Sequence, residues 1–278
     1  MKFFLITASP LIAELALDNG VDRIFVDLEA LGKAERQGHL DSVKSSHSIT
    51  DIAAVRAAIG TAPLMARLNP LNEFSGNEVE DAIAAGADIL MLPMFRTAQE
   101  VKDFSLLVDC RVPISLLVET ADAMHNLSAC IQISGVEEVH IGLNDLTLDL
   151  GLNFMFEPLY NGLVDAMAAT IRAAGLPFGI GGVARVGEGM LPAERILCEH
   201  ARLGSSAAIL SRTFHRQSGT VEEMQKDMNL GGEIGELRRA YAAGLELSPS
   251  ELDDIRARSS ADIASIVASI QSQKNAAA

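Results

Sequence analysis

Eight short apolar runs alternate along the chain with longer amphipathic stretches. In chain order the runs are KFFLIT (2–7), RIFVDLE (23–29), PLMARLN (63–69), DILMLPM (88–94), PISLLVE (113–119), EVHIGLN (138–144), PFGIGG (177–182) and AAILSR (207–212). The stretches between them carry apolar residues three and four positions apart, the spacing of an amphipathic helix. This alternation predicts parallel strands joined by crossover helices.

The spacing of the runs favours a closed barrel over an open sheet. The four central runs begin at residues 63, 88, 113 and 138, so each unit of strand, helix and two loops takes 25 residues. A doubly wound sheet typically has fewer strands and a glycine-rich phosphate turn after the first one. Here ASPLIA follows the first run. The sequence therefore predicts an α/β fold, a (β/α)8 TIM barrel.

The chain continues past the eighth run with two further helical tracts. We predict a barrel core over residues 1–216 and a C-terminal helical extension over residues 217–278. Ser248, Pro249 and Glu251 fit a capping box with proline in the first turn of the last helix. The extra helices either pack on a neighbouring subunit or form another layer on the barrel's own flank.

The charge balance excludes some classes of partner. The chain has 22 basic and 37 acidic residues, a formal net charge of −15, which repels nucleic acids and anionic membranes. An anionic small molecule would need a local cation, so single arginines become candidate ligands.

Membrane and export signals are weak in this sequence. The opening MKFFLITASPLIAEL is interrupted by Pro10 and Glu14, so we interpret it as a first strand rather than a signal peptide. No apolar stretch approaches the roughly 20 residues of a membrane span. Cys110, Cys130 and Cys198 show no CxxC spacing and suit a reducing compartment. We expect a cytoplasmic protein.

Two acidic residues end consecutive predicted strands. Glu119 follows strand five and Asp145 follows strand six, and functional groups of a barrel lie at these C-terminal strand ends. Two carboxylates on adjacent strands repel unless a cation lies between them, and two protein oxygens suit Mg²⁺ or Mn²⁺ with water and substrate as further ligands. In the alternative interpretation, one carboxylate caps the next helix or pairs with an arginine.

Arg67 is a cation within an otherwise apolar run. A guanidinium in the barrel mouth would bind a carboxylate bidentately; the alternative is a structural salt bridge to Glu29 or Glu119. Other polar or glycine residues also fall at strand ends and are candidates for the site. They are Asp27, Glu29, Asn69, Asn144, Gly181 and Gly182.

Five segments in order, VDLEALGKAERQ, ARLN, GADILMLPMF, LLVETADA and GLNDLTLDLG, resemble the HpcH/HpaI aldolase and citrate lyase beta-subunit family over roughly residues 3–215. The resemblance implies a metal-dependent barrel that makes or breaks a carbon–carbon bond beside a 2-oxo acid or an acyl thioester. It implies that Glu119 and Asp145 hold the metal, and that Arg67 binds the oxo-acid carboxylate and enolate oxygen. It also implies a homo-oligomer, which we expect to be a trimer or hexamer with exchanged C-terminal helices.

The chain departs from the family pattern at the proton-transfer residue. Aldolases of the family carry histidine after the acidic residue of strand two, where this chain has Ala30; Leu117 replaces a glutamine typical of those aldolases. The loop at residues 30–48 carries His39 and His47, either of which could act as general base. We predict Arg67, His47 and Glu29 as catalytic residues, with Arg67, Asn69, Asn144 and Gly182 binding substrate.

The expected function is that of a Mg²⁺- or Mn²⁺-dependent aldolase or lyase that acts on pyruvate or oxaloacetate and an aldehyde. The first alternative is a citrate-lyase-like enzyme for an acyl-CoA thioester. The second is a barrel that binds an oxo acid or sugar acid without turnover. The glycine-rich segment with Arg185 suits either phosphate binding or tight turns. We expect His140 to be structural and to face the helix layer.

Overall fold

The computed structural model describes residues 1–32, 47–211, 214 and 219–277. Its eight strands form one closed parallel barrel in chain order, which confirms the predicted fold. The strands are β1 (Lys2–Ile6), β2 (Arg23–Asp27), β3 (Leu64–Arg67), β4 (Ile89–Leu92), β5 (Ile114–Val118), β6 (Val136–Ile141), β7 (Phe178–Val183) and β8 (Ala207–Leu210).

Helices follow the strands and surround the barrel. In chain order they are α1 (Pro10–Asp18), α2 (Ile49–Ile59), α3 (Ser75–Ala84), α4 (Ala98–Val108), α5 (Ala121–Cys130), α6 (Leu143–Asp149), α7 (Glu157–Tyr160), α8 (Leu163–Ala173), α9 (Ala193–Leu203), α10 (Val221–Asp227), α11 (Leu230–Glu246) and α12 (Pro249–Ala277). In the described part of the chain, no helix has the length and apolar character needed to cross a membrane.

The main core lies between the strands and the helices. Outward-facing strand residues such as Val26 and Leu90 share one buried cluster with Ile52, Val79 and Phe104 on the helices. Burying each such large apolar side chain stabilises the fold by roughly 1.5–3 kcal/mol. This layer fixes the strands in register.

A second cluster fills the inside of the barrel. Phe25, Met65, Met91 and Leu117 are buried there on four neighbouring strands. Because successive side chains alternate between the two faces of a strand, the next inward positions are two residues further on. Those positions on β2, on β3 and directly after β5 are occupied by polar residues, namely Asp27, Arg67 and Glu119. These three polar side chains therefore lie directly above the apolar layer inside the barrel.

The opposite end of the barrel interior is also polar. Arg23 and Glu138 form a two-bond ion pair at 2.6 and 3.1 Å, and the Arg23 guanidinium lies 4.4 Å from the centre of the Phe4 ring. His140 lies beside Phe4, with ring centres 6.3 Å apart, and its Nε2 is 3.0 Å from the Gly181 carbonyl oxygen. The prediction that His140 faces the helices is wrong, because its neighbours Val139 and Ile141 occupy the outer face.

The C-terminal helices pack on the flank of the chain's own barrel. Ser248 and Glu251 form the predicted capping box before α12, with Pro249 as its first residue. Arg256 on α12 pairs with Asp165 on α8 at 2.9 Å. These contacts give α12 a place on its own subunit, and exchange with a neighbour stays a prediction, as does the boundary at residue 216.

Candidate active site

The guanidinium of Arg67 is fixed by an acidic residue of the preceding strand, β2. Asp27 and Arg67 are register partners in the β2–β3 ladder. Arg67 Nε and Nη2 donate to Asp27 Oδ1 and Oδ2, both at 2.8 Å, and Nη2 lies 3.3 Å from Glu29 Oε2. Such a two-bond pair sets the plane of the guanidinium. The ion pair with Glu29 that the alternative interpretation of Arg67 named is present, and Asp27 is the principal partner.

Arg67 remains charged although it is largely buried. Burial lowers its pKa, but the charges of Asp27, Glu29 and Glu119 and the hydrogen bonds to Asp27 raise it more, so the net shift is upward. Its Nη1 makes no hydrogen bond to another described residue. That nitrogen can therefore donate a hydrogen bond to an anionic ligand.

Glu119 is a buried carboxylate with a raised pKa. It directly follows β5 and is 2% exposed. Burial raises its pKa to about 8, with further increases from the negative charges of Glu29 and Asp145; Arg67 and the Met94 N–H act in the opposite direction. The Met94 N–H donates to Glu119 Oε1 at 3.1 Å, from a left-handed backbone with φ of 55°. A carboxyl group in such surroundings favours a proton or a bound cation.

Asp145 lies in the first turn of helix α6, and the prediction that strand six extends to Asn144 is wrong. Strand β6 ends at Ile141, and Leu143 and Leu146 are then buried at helical spacing. The connecting Gly142 donates its N–H to the Val118 carbonyl oxygen at 2.9 Å. This turn brings partly exposed Asp145 close enough to Glu119 for its charge to raise the Glu119 pKa.

The donor set fits an open cation site. Glu119 and Asp145 are hard oxygen ligands whose mutual repulsion a divalent cation would remove. Over the described ranges, no three His, Cys, Asp or Glu side chains converge as a complete ligand group. A cation here would therefore take two protein ligands and keep several positions for water or substrate, as Mg²⁺ and Mn²⁺ do.

His47 lies beside the Asp27–Arg67 pair. The Asp27 N–H donates to His47 Nδ1 at 3.1 Å, so the proton of a neutral ring is on Nε2. Ser48 follows as the N-cap of α2, and its N–H donates to Asp51 Oδ2 at 2.7 Å. His39, the other histidine proposed for proton transfer, lies outside the described residues.

The three remaining predicted substrate ligands lie at the same end of the barrel. Asn69 Oδ1 accepts from the N–H groups of Ala30 and Leu31, at 2.9 and 3.0 Å, and its Nδ2 donates to Glu78. Asn69 thus holds the loop after β2. Partly exposed Asn144 is in the first turn of α6, and Gly182 pairs with Ile209 of β8. Their contacts with substrate stay predictions.

Two residues of this arrangement were missed from the sequence. Met94 supplies a backbone N–H, which any residue type could supply, so its side chain gives no signal. Gly142 has a detectable signal, because a glycine between an apolar strand and an acidic residue often marks a close backbone approach.

The closed barrel of eight parallel strands makes this protein a (β/α)8 barrel. Two carboxylates and an arginine lie at the C-terminal end of its strands. The HpcH/HpaI aldolase/citrate lyase family matches residues 1–186 of the 278, and the chain belongs to that family. A 4-hydroxy-4-methyl-2-oxoglutarate aldolase of Chaetomium globosum is 22% identical over 215 residues, 63% of this chain and 72% of the relative.

Solved structures show the same fold. An HpcH/HpaI aldolase from Desulfitobacterium hafniense superposes with a TM-score of 0.60 at 14% identity, covering 89% of this chain and 94% of that one. An HpcH/HpaI aldolase/citrate lyase family protein from Burkholderia cenocepacia gives 0.61 at 17% identity, covering 81% and 94%.

Proposed function

We propose that this protein is a divalent-metal-dependent aldolase that cleaves or forms the carbon–carbon bond of a 4-hydroxy-2-oxo acid, with pyruvate or oxaloacetate as the oxo-acid unit. Family membership supports a lyase or aldolase, and the aldolase relative supports this substrate class. The observation that carries the proposal is the convergence of Arg67, Glu119 and Asp145 at the barrel mouth.

Glu119 and Asp145 would hold Mg²⁺ or Mn²⁺. The bound cation would polarise the 2-oxo group and stabilise negative charge that develops on its oxygen. The raised pKa of Glu119 supports this assignment, because a cation relieves the same burial and repulsion that otherwise favour a proton.

Arg67 would bind the carboxylate of the oxo acid. Asp27 holds two of its nitrogens and Glu29 contacts one of them, so the guanidinium is oriented before substrate arrives and loses little freedom on binding. Glu29 contributes through this orientation and through its negative charge, which keeps Arg67 protonated.

His47 would act at the hydroxyl of the bond being cleaved. In the arrangement held by the Asp27 N–H, Nε2–H is a donor and would hydrogen-bond to the hydroxyl oxygen of the aldol. For His47 to accept the hydroxyl proton, Nε2 must first give up its own proton, for instance to Nδ1 once the bond to Asp27 opens. In aldolases of the family a histidine stands at the position of Ala30. The position of His47 in the barrel mouth supports it as the residue that takes over the role of that histidine.

The direct test uses two reactions of the purified protein. With Mg²⁺ or Mn²⁺, we expect exchange of the pyruvate methyl protons for deuterium, followed by NMR, and release of pyruvate from 4-hydroxy-2-oxo acids. Chelation by EDTA and the variants Glu119→Gln and Arg67→Met should abolish both reactions, whereas Asp122→Asn on the outer surface should not.

Two results would contradict the proposal and favour its alternatives. Binding of pyruvate without exchange or cleavage would indicate a binding barrel. Cleavage of an acyl-CoA thioester without cleavage of any free oxo acid would indicate a citrate-lyase-like enzyme.

A further inference from the structure

Helix α6 carries two carboxylates one turn apart. Asp145 lies in its first turn and Asp149 is its last residue, so the two side chains project from the same face of the helix. Two negative charges at this spacing repel each other, and a negative charge at the C-terminal end of a helix opposes the helix dipole. Asp149 therefore destabilises its own helix, and its compensating contacts lie outside α6.

Asp149 makes these contacts with the segments that follow β4 and β5. Its Oδ2 accepts a hydrogen bond from the Ala121 N–H at 2.7 Å, and its Oδ1 accepts one from Arg96 Nη2 at 3.1 Å. Ala121 is the first residue of α5, and the first N–H groups of an α-helix have no acceptor within the helix. A negative charge is also favourable at a helix N-terminus. Asp149 therefore caps α5 from a neighbouring helix.

The start of α5 is itself held firmly in place. Thr120, the residue between Glu119 and Ala121, is fully buried. Its hydroxyl group donates to the Phe95 carbonyl oxygen at 2.9 Å and accepts from the Ala123 N–H at 3.0 Å. The Ala121 N–H thus has a defined position two residues after Glu119, and a helix bonded to it is positioned relative to Glu119.

Two hydrogen bonds join the segments that carry the proposed metal ligands. The Gly142 N–H donates to the carbonyl oxygen of Val118, directly before Glu119. The bond from Asp149 reaches the start of α5, just after Glu119. Along the other segment, the same two bonds lie on either side of Asp145. The two bonds and the chain between them form a closed ring that contains both carboxylates, so they constrain the separation of the carboxylates.

The direction of the Asp145 side chain depends on the second bond in particular. Leu143 and Leu146 pack α6 into the main core, but apolar contacts are non-directional and permit small rotations about the helix axis. A hydrogen bond is directional. Because Asp149 and Asp145 share one face of α6, the bond from Asp149 fixes the rotation of the helix and with it the direction of Asp145.

We propose that Asp149 is a positioning residue that sets the separation of Glu119 and Asp145 and thereby the affinity and selectivity of the cation site. The inference rests on the metal dependence in the proposed function. Mg²⁺ requires near-octahedral geometry at short distances, whereas Ca²⁺ accepts irregular ligand positions. Loss of the Asp149 contact should therefore weaken Mg²⁺ binding more than Ca²⁺ binding.

Electron paramagnetic resonance of Mn²⁺ with the full chain measures cation binding without turnover, and Mg²⁺ and Ca²⁺ are titrated as competitors. Asp149→Ala should weaken binding of Mn²⁺ and Mg²⁺ by roughly tenfold or more, as for loss of other groups that orient metal ligands, and binding of Ca²⁺ by less than about threefold. Asp149→Asn keeps an oxygen that can accept from the Ala121 N–H. It should therefore retain more of the wild-type affinity than Asp149→Ala.

Asp122→Asn is the matched control. Asp122 also pairs with Arg96, at 2.9 Å, so its replacement removes the same charge from the same arginine and leaves the bond between Asp149 and Ala121 intact. This variant should keep the wild-type cation affinities. Hydrogen exchange in EDTA checks the bond without a metal, because the Ala121 amide should exchange faster in Asp149→Ala than in wild type or Asp122→Asn.

Wild-type cation affinities in Asp149→Ala would overturn the proposal. Equal weakening in Asp149→Ala and Asp122→Asn would also overturn it, since this would indicate only a loss of negative charge. Equal weakening of Mg²⁺ and Ca²⁺ would contradict an effect on ligand separation. Failure of the proposed function would appear separately, as missing pyruvate proton exchange in a wild-type protein whose Mn²⁺ binding still depends on Asp149. A wild-type protein that binds no divalent cation would overturn both proposals.

Discussion

Gly142 passes so close to Glu119 that a Cβ at this glycine would lie 3.0 Å from both the Cβ and Oε2 of Glu119. Such a contact is shorter than carbon and oxygen atoms tolerate without movement, and the glycine backbone is held by its bond to Val118. The carboxylate proposed as a metal ligand is therefore positioned partly by the absence of a side chain at Gly142, directly after the neighbouring strand β6.

Gly142→Ala should displace the Glu119 carboxylate and weaken binding of Mg²⁺ or Mn²⁺ by about tenfold or more, the effect typical of lost ligand support. Titration of the metal against pyruvate proton exchange would measure it. Gly151→Ala is the matched control, because nothing lies within 4 Å of a Cβ there, although its φ of 67° will cost some stability. Unchanged metal affinity in Gly142→Ala would exclude a role for this contact.

The raised pKa of Glu119 predicts a pH dependence of stability in the metal-free protein. Between its ordinary value of 4.5 and about 8, the folded state binds a proton at Glu119 that the unfolded chain has released. The free energy of unfolding should therefore fall as the pH rises through this window.

Urea unfolding in EDTA from pH 5 to pH 8.5 would measure this dependence. Glu119→Gln lacks the ionising group and should lose less stability over the window than wild type, becoming the more stable protein near pH 8. Parallel curves for the two proteins would contradict the assignment. Added Mg²⁺ should stabilise wild type more at pH 8 than at pH 6, because it competes with the proton.

The Asp27–Arg67 pair should support both folding and substrate binding. Asp27→Asn removes a charge that faces a largely buried guanidinium, so we expect a loss of about 3 kcal/mol in the free energy of unfolding. The KM for the oxo acid should rise because the guanidinium loses its fixed plane. The exposed pair of Arg96 and Asp122 is the comparison, since Asp122→Asn should cost less than about 1 kcal/mol. Equal losses in the two variants would contradict a special role for Asp27.

Much of the fold was predictable because strands buried on both faces read as continuous apolar runs. Each of the eight predicted runs overlaps one strand, and the eight strands follow the predicted order. The end of strand six was misjudged, since the alternation of Val139, Ile141 and Leu143 continues past Gly142 into a helix. Counting from Asp145 as a strand residue then placed His140 on the wrong face.

The candidate site was predictable in its residues but less so in their partners. Glu119, Asp145 and Arg67 follow from their position at strand ends. The choice of Asp27 over Glu119 as the main partner of Arg67 depends on the register of β2 against β3, which no local pattern encodes. The bond between His47 and the Asp27 N–H joins residues 20 positions apart in the sequence, so only the folded chain reveals it.

His47 should be required for cleavage of the carbon–carbon bond but not for enolisation of pyruvate. The carboxylates and Arg67 act on the oxo-acid end, whereas His47 is proposed to act on the hydroxyl of the aldol. His47→Ala should therefore lower pyruvate release from a 4-hydroxy-2-oxo acid by about 100-fold, as expected for loss of a proton-transfer group, and change pyruvate proton exchange by less than about threefold.

His47→Gln, which can still donate from its amide, should retain more cleavage than His47→Ala. His125→Ala, at an exposed position on α5, is the control and should leave both reactions unchanged. A parallel loss of exchange and cleavage in His47→Ala would instead place His47 among the residues that hold Asp27 and Arg67 in position.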